Sequence, residues 1–450
     1  MAAEMHLGEG AVYSLDTHKT HLNNNVLVVG TSGSGKTRSI VSPNILEAEG
    51  SYVISDPKGS LYLKYGNYLK SRGYKVRTLN FADLKKSDCW NFFDYIHTEQ
   101  DILKAAHMLV MIGGDRRNTT ADPFWDEAAE LLLTSLIAYE MEADLKERRS
   151  LEKINRLASM MTVDEDSPDT ESQLDVRMNN LFLKKPGSFA VKQFRKFRIA
   201  AGRTMKSILI SLFSYIGRFD FNDCNRVMAY DEMRIADIGN EKTAVFVIVS
   251  DTDRSMDGLA NIFFSQAMNE LCRAADSRKD GRLPVPVRFI LDDFATNVKI
   301  NEFPRMIASI RSREISTILI IQSFSQLTAC YGEDGKTIRS NCDTMVYLGG
   351  NDRETALEVA ENIDRPVDEV LFMPVDMHWI IRRGTRPIYG RNIDLKDFSK
   401  GKGYSEKGNG YVKAGTEKCE LQGEKMPSGH YPLRHSVIKR ENIRMNKEAV

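Results

Sequence analysis

Several common function classes find little support in this chain. Its six cysteines (Cys89, Cys224, Cys272, Cys330, Cys342 and Cys419) are scattered, and no Cys-x-x-Cys pair occurs. The pattern excludes a disulfide framework and argues against a zinc site; it fits reduced thiols in a cytoplasmic protein. Neither sign of charge is in excess, with 62 Lys and Arg against 62 Asp and Glu. A globally basic nucleic-acid binder is therefore excluded, and any DNA contact must come from local patches or from assembly. No apolar run approaches the roughly 18 residues a membrane helix needs, and residues 1–25 lack the apolar core of a signal peptide. The expectation is a chain that neither spans a membrane nor is exported by that route. Internal repeats are also missing. What remains is an ordinary soluble composition, 42% hydrophobic and 28% charged over 450 residues. That length allows one large or two to three smaller domains.

Against that background one segment stands out. Val26-Leu-Val-Val29 runs into Gly30-Thr31-Ser32-Gly33-Ser34-Gly35-Lys36-Thr37, the spacing of a phosphate-binding P-loop. Gly30, Gly33 and Gly35 let the backbone wrap a polyphosphate so that successive N–H groups point inward. Lys36 has the reach for β- and γ-phosphates, and the Thr37 hydroxyl suits Mg²⁺. The segment predicts a nucleoside triphosphate site.

Short Val- and Ile-rich runs at 25–30, 51–56, 75–80, 244–251, 287–293, 317–322 and 344–349 read as buried parallel strands. Helical patterns separate most of them, which predicts a doubly wound α/β domain. The interval 100–233 holds no convincing strand. It predicts a helix at 101–112 stopped by Gly113-Gly114, and a second opening at Asp122-Pro123-Phe124-Trp125 with Asp122 as N-cap. The stretch 164–169 reads as a surface loop. The expected division is 1–97 for the first part of the nucleotide domain, 98–200 for an all-α insertion, 201–395 for the second part, and 396–450 for a polar, mobile tail.

A second chemical element follows at Val287-Arg-Phe-Ile-Leu-Asp292-Asp293. A strand ending in paired carboxylates is a Walker B pattern, with Asp292 holding Mg²⁺ and Asp293 the candidate base for water. The bland reading is two acids capping a strand end in solvent. Gln322 closes another strand, where a neutral amide can sense a γ-phosphate or serve no purpose beyond ending the strand. Residues 305–314 read as a helix carrying Arg311 and Arg313. Either the helix presents a cation to a neighbouring subunit's phosphate or it simply ends in solvent. Finally, Lys184, Lys185, Lys192, Arg195, Lys196, Arg198, Arg203 and Lys206 form a basic strip with Phe189, Phe194 and Phe197 between them. The strip suits single-stranded DNA if the rings are free to stack, and is an ordinary solvated helix face if they are buried.

Taken in order, these motifs resemble the coupling-protein ATPases of type IV secretion and conjugation, the TraG/TraD class related to the HerA/FtsK pumping ATPases. Besides the P-loop and Walker B segments, the resemblance rests on Ser42-Pro43-Asn44, Val53-Ile-Ser-Asp56-Pro57-Lys58-Gly59, Pro123-Phe-Trp125 and Ile321-Gln322-Ser323-Phe-Ser-Gln326-Leu327. It implies a RecA-like P-loop NTPase domain with a parallel central sheet, interrupted by an all-α domain, assembled as a hexameric ring with ATP and Mg²⁺ between subunits. On that template Lys36 and Thr37 bind phosphate and Mg²⁺, and Asp292 and Asp293 form the Walker B pair. Arg311 aligns with the arginine finger and Gln322 with the glutamine that couples hydrolysis to motion. Implied partners are single-stranded DNA, a relaxase or other transfer proteins, and membrane channel components or a separate anchor. The implied location is peripheral, at the inner face of the cell membrane. The rival implications are a protein-effector coupling ATPase without DNA and an ATP-binding assembly module with little hydrolysis. Two departures stand out. Asp293 occupies a position where the family usually has Glu, and the P-loop begins 30 residues in, without the transmembrane helices that generally precede it.

Overall fold

A computed structural model describes residues 3–113, 123–143, 148–163, 170–200, 202–296 and 298–404, all of them within one folded unit. Its centre is a nine-stranded sheet. Chain order runs from a small hairpin of β1 (Glu4–Gly8) and β2 (Ala11–Ser14) to β3 (Val26–Val29), β4 (Ser51–Pro57) and β5 (Lys75–Asn80). After a long helical interval come β6 (Thr243–Val249), β7 (Val287–Leu291), β8 (Ile315–Ile321), β9 (Thr344–Tyr347), β10 (Met377–Arg382) and β11 (Ile388–Arg391). The spatial order is β11-β10-β9-β3-β8-β7-β4-β6-β5. All seven strands from β3 to β9 run parallel, and β10 and β11 add an antiparallel hairpin at the β9 edge.

The interior parallel strands form because they are apolar on both faces; β5, at the outer edge, is buried only over its second half. Every residue of β3, β6 and β7 is buried, as expected when helices cover both sides of a sheet. One face, with Val28, Tyr52, Ile54, Phe246 and Ile290, packs under the Ser42–Leu46 and Ser60–Ser71 helices. The other, with Val29, Val53, Phe289 and Leu291, is continuous with the apolar sides of the helices that lie between β5 and β6. Among the described residues that interval contains no strand. Its α-helices, among the described residues, are Glu99–Gly113, Phe124–Glu142, Leu151–Ser159, Gln173–Lys184, Phe189–Phe197, Gly202–Ile216 and Asn222–Val227. The Asp257–Asp276 helix ties this block to the sheet through Arg273, whose guanidinium meets Asp101 at 2.6 Å. The fold is therefore an α/β, RecA-like P-loop NTPase sheet interrupted by helices, with a mixed rather than wholly parallel sheet because of the β10–β11 edge.

Three expectations meet a different outcome or fall outside the described residues. The segment 305–314 is not one helix. Phe303–Met306 is a short helix opened by Pro304, Ile310–Arg313 is a 3-10 turn, and Glu314 at φ +61° swings the chain into β8. Residues 396–404, grouped with the tail by composition, are ordered. Leu395–Gly401 is helical, and the Tyr404 ring packs on Tyr65 and Tyr68 with centroids 5.4 and 5.7 Å apart. Residue Asp122, the loop 164–169 and the tail from 405 onward lie outside the described residues. No helix among the described residues is long and apolar enough to cross a membrane.

Candidate nucleotide site

The site assembles at the carboxyl ends of β3, β8, β7 and β4, where ligands of open α/β sheets gather. β3 delivers the P-loop. Gly33 and Gly35 adopt φ +83° and +89°, a region in which a Cβ is strained. A Cβ at Gly30 would come within 2.5 Å of the Ser34 hydroxyl. The loop is closed by its own bonds. Ser34 N–H donates to the Thr31 carbonyl at 3.2 Å, and Thr31 N–H to Gly349 at the end of β9 at 3.1 Å.

Lys36 curls back over this loop. Its ammonium donates to the carbonyls of Gly30 and Thr31 at 2.5 and 2.7 Å. Burial pushes the Lys36 pKa down, while the carboxylates of Asp292 and Asp293 pull it back up. Thr37 Oγ1 donates to Asp292 Oδ2 at 3.1 Å, so the first residue after the P-loop lysine meets the acid at the end of β7. Two oxygens meet there, of the type that can hold a hard cation.

Asp292 is 9% exposed, and burial raises its pKa, with the neighbouring Asp293 charge acting in the same direction. Its Oδ1 accepts the Asp293 N–H at 3.1 Å, and its backbone carbonyl accepts the Ser55 hydroxyl of β4 at 3.2 Å. Asp292 is thus held among neighbouring groups rather than facing solvent. Asp293 sits at φ +53° and is half-buried. Asp is one of the few non-glycine residues that tolerate this conformation, and it turns the chain sharply out of β7.

Gln322 lies between the two motifs. It follows β8, which separates β3 from β7, and Gly30 N–H donates to the adjacent Ile321 carbonyl at 3.2 Å. The Gln322 N–H is held by Gln326 Oε1 at 2.9 Å. Arg311 is not part of this assembly. It precedes β8, at the opposite end of the sheet, and donates to the Thr17 carbonyl at 3.2 Å. Seven strand residues place it about 20 Å from Gln322.

Other groups join the site without having been picked out as site residues. Asp56 at the end of β4 is fully buried and accepts N–H bonds from Leu61 and Tyr62 at 3.0 and 2.8 Å. Lys58, at φ +76°, pairs with Asp251 at 2.9 Å. That bond raises the Lys58 pKa, and the charge of Asp293 adds to the effect. The Asp56-Pro57-Lys58-Gly59 run was the available signal, since a strand ending in acid, turn and cation is conspicuous. From the far end of the chain, Asp394 approaches Arg38 at 3.7 Å and the Asn392 amide comes up to Gly35. No local pattern marks those two.

Burial pushes the Asp56 carboxyl up to about 7; its N–H partners oppose this and the charge of Asp292 adds to it. The sign of the consequence follows from linkage. The folded state holds this proton to higher pH than the unfolded chain, whose carboxyl has the ordinary value of 3.8. The contribution to stability is whole below the unfolded value and is lost as pH rises through about 7, at most about 4 kcal/mol. Asp56→Asn should flatten that part of the curve. Urea unfolding midpoints of both chains between about pH 5 and pH 8, without divalent cations, check it.

The basic strip resolves toward the bland reading. Phe194 and Phe197 are buried, Phe189 is half-buried, and Arg198 pairs with Asp175 at 3.0 Å and Lys185 with Glu142 at 3.3 Å. The Phe189–Phe197 helix shows its cations outward and its rings inward, so Phe194 and Phe197 are not stacking platforms for bases.

Known proteins agree with this architecture. Over 352 residues the chain is 24% identical to protein VirD4 of Rhizobium radiobacter, covering 75% of this chain and 47% of that protein. The chain thus spans about half the length of the curated relatives it matches. The bacterial conjugative coupling protein TrwBdeltaN70, in an unbound form, superposes with a TM-score of 0.62 at 17% identity, over 87% of this chain and 89% of that one. The plasmid coupling protein TrwB in complex with ADP and Mg²⁺ gives 0.59 at 17% identity, over 82% and 85%. A family model described as "Type IV secretory system Conjugative DNA transfer" matches residues 5–364. With the P-loop, the Thr37–Asp292 contact and the interrupted sheet in place, this chain belongs to the type IV secretory system conjugative DNA transfer family.

Proposed function

We propose that the chain is an ATP-hydrolysing coupling protein, which recruits a DNA–protein substrate to a type IV secretion or conjugation channel and helps drive its translocation. The observation that carries the enzymatic half is the contact of Thr37 with Asp292 beside Lys36, which supports reading a cation site and a phosphate-binding ammonium in one cradle. Residues 30–37 hold the triphosphate of ATP, with Thr37 and Asp292 as the protein oxygens for Mg²⁺. Mg²⁺ bound there would neutralise phosphate charge. Lys36 turns from its loop carbonyls to the phosphates, Asp293 orients water and accepts its proton, and Gln322 reports the state of the γ-phosphate between the two motifs.

Arg311 lies too far from the P-loop of its own chain to take part there. Its place in this reading is at a neighbour's nucleotide in a homo-oligomeric ring, most simply a hexamer. The helical block over 98–200 faces the delivering partners, a relaxase among them, and a channel component or separate anchor keeps the ring at the inner face of the membrane. That plasmid coupling protein TrwB has been seen with ADP and Mg²⁺ supports the cofactor assignment. The buried rings of the 184–206 strip remove one argument for single-stranded DNA, so DNA contact in this reading rests on the family and on charge repeated around a ring.

Steady-state hydrolysis of ATP with and without single-stranded DNA is the test. Mg²⁺-dependent turnover that rises on adding DNA, and falls back as salt is raised, is the expected outcome. Turnover indifferent to DNA would move the reading to a protein-effector coupling ATPase. Tight ATP binding with assembly but negligible turnover would make the chain a nucleotide-bound assembly module.

A further inference from the structure

A cavity of about 460 Å³ opens at the other end of the sheet, beside the first residues of β7 and β8. Arg288 of β7 forms part of its wall. In register this residue lies between Tyr52 of β4 and Ser316 of β8, on the sheet face that packs beneath the Ser60–Ser71 helix. It is 7% exposed, yet its Nε donates only to the neutral Ser316 hydroxyl, at 3.3 Å. Among the described residues no carboxylate pairs with it. A guanidinium carries five N–H donors in a planar fork, and burying one without an anion is costly. Burial accordingly lowers the Arg288 pKa below the usual arginine value.

Arg311 lines the same cavity and, among the described residues, also lacks an ion pair; its one bond goes to the Thr17 carbonyl. The acids that line the cavity are engaged elsewhere or outlying. Asp16 caps its own helix by accepting the His18 and Lys19 N–H groups and pairs with Lys19 at 3.5 Å. Glu314 pairs with Arg282, and Glu49 is exposed. Two guanidinium groups are left lining one cavity.

We infer that this cavity is a second anion site, taking phosphate or a phosphate ester, with Arg288 as its buried anchor and Arg311 as its outer contact. A tetrahedral dianion satisfies two guanidinium forks at once, whereas a single carboxylate balances only one of the two charges. The site does not depend on the P-loop, which lies at the opposite strand ends. The phosphate group has two sources, free phosphate in solution or the phosphate tail of a nucleotide held by a second copy of this chain.

The test uses the full chain in a Lys36→Ala background, so that the P-loop contributes little. Inorganic phosphate is titrated against chloride at equal ionic strength, with binding read by calorimetry and by thermal unfolding. Phosphate should raise Tm by about 2 °C at tenfold excess over its dissociation constant. Arg288→Met should weaken phosphate binding by about 10- to 100-fold while leaving Tm in chloride unchanged or higher. Should that variant fail to fold, Arg311→Gln, altered at an exposed position, is expected to weaken binding by about tenfold. No phosphate response in the Lys36→Ala chain, or equal responses with and without these substitutions, would overturn the inference. Sedimentation of the Lys36-intact chain separates the sources. ATP-driven self-association that Arg288→Met abolishes assigns the site to a neighbour's nucleotide. Phosphate binding with self-association unaffected assigns it to a free anion. Failure of DNA-stimulated hydrolysis leaves each of these readouts intact.

Discussion

Lys36→Ala is expected to lower ATP turnover on the order of 10³-fold while leaving the fold in place. The ammonium is the one cation that the loop itself carries into the cradle, and its present partners are two carbonyls that phosphate oxygens outcompete by charge. Transition-state charge on the transferred phosphoryl group would then lack its nearest counter-charge. Stability should change little, because the substitution also removes a cation whose pKa burial has already depressed. Steady-state kinetics beside thermal unfolding checks both halves. Turnover within about tenfold of the parent would remove Lys36 from the chemistry and, with it, the proposed P-loop mechanism.

The second large effect belongs to Asp293. Asp293→Asn should reduce kcat by about 10²- to 10⁴-fold with nucleotide affinity nearly unchanged. Asparagine is the informative replacement because the residue stands at φ +53°, where Asn is tolerated and Ala strained. The loss is thus read as loss of a carboxylate rather than of a turn. Asp293→Glu restores the side-chain length usual in the family and should raise kcat if reach limits the parent enzyme. An active Asp293→Asn chain would instead point to a base elsewhere in the site. In that case Asp56 is the first residue to examine, because its raised pKa leaves it able to exchange a proton near neutrality.

How much of this was legible beforehand follows from the kind of signal each element carries. The interior parallel strands announce themselves as apolar runs, since burial on both faces leaves no polar alternation to confuse the reading, whereas β5 at the outer edge carries Lys75, Arg77 and Thr78 and is buried only over its second half. The hairpin strands β10 and β11 do not announce themselves in this way. β11, Ile388–Arg391, is mostly exposed, and a half-solvated edge needs no apolar run. The break within 303–314 was hidden as well, because helical spacing of Ile and Arg is compatible with two short turns once Glu314 adopts φ +61°. The phenylalanines of the basic strip illustrate the general difficulty. Aromatic rings at helical spacing read alike whether they face bases or a core, and only the packing of Phe194 and Phe197 against neighbouring helices separates the two.

By itself the sequence determined that a strand leads into a phosphate-wrapping loop, that another strand ends in paired acids, and that a strandless interval divides them. Each of these is a local matter of spacing, glycine and apolar run length. The tertiary structure alone decided which of these parts meet. The order β3-β8-β7-β4 sets Gln322 between the P-loop and the acids and brings Thr37 to Asp292, while Arg311 goes to the far end of the sheet and shares a cavity with Arg288. The physical reason is that strand order depends on how helices cover both faces of a sheet. Every buried parallel strand carries much the same apolar composition and says little about its neighbours.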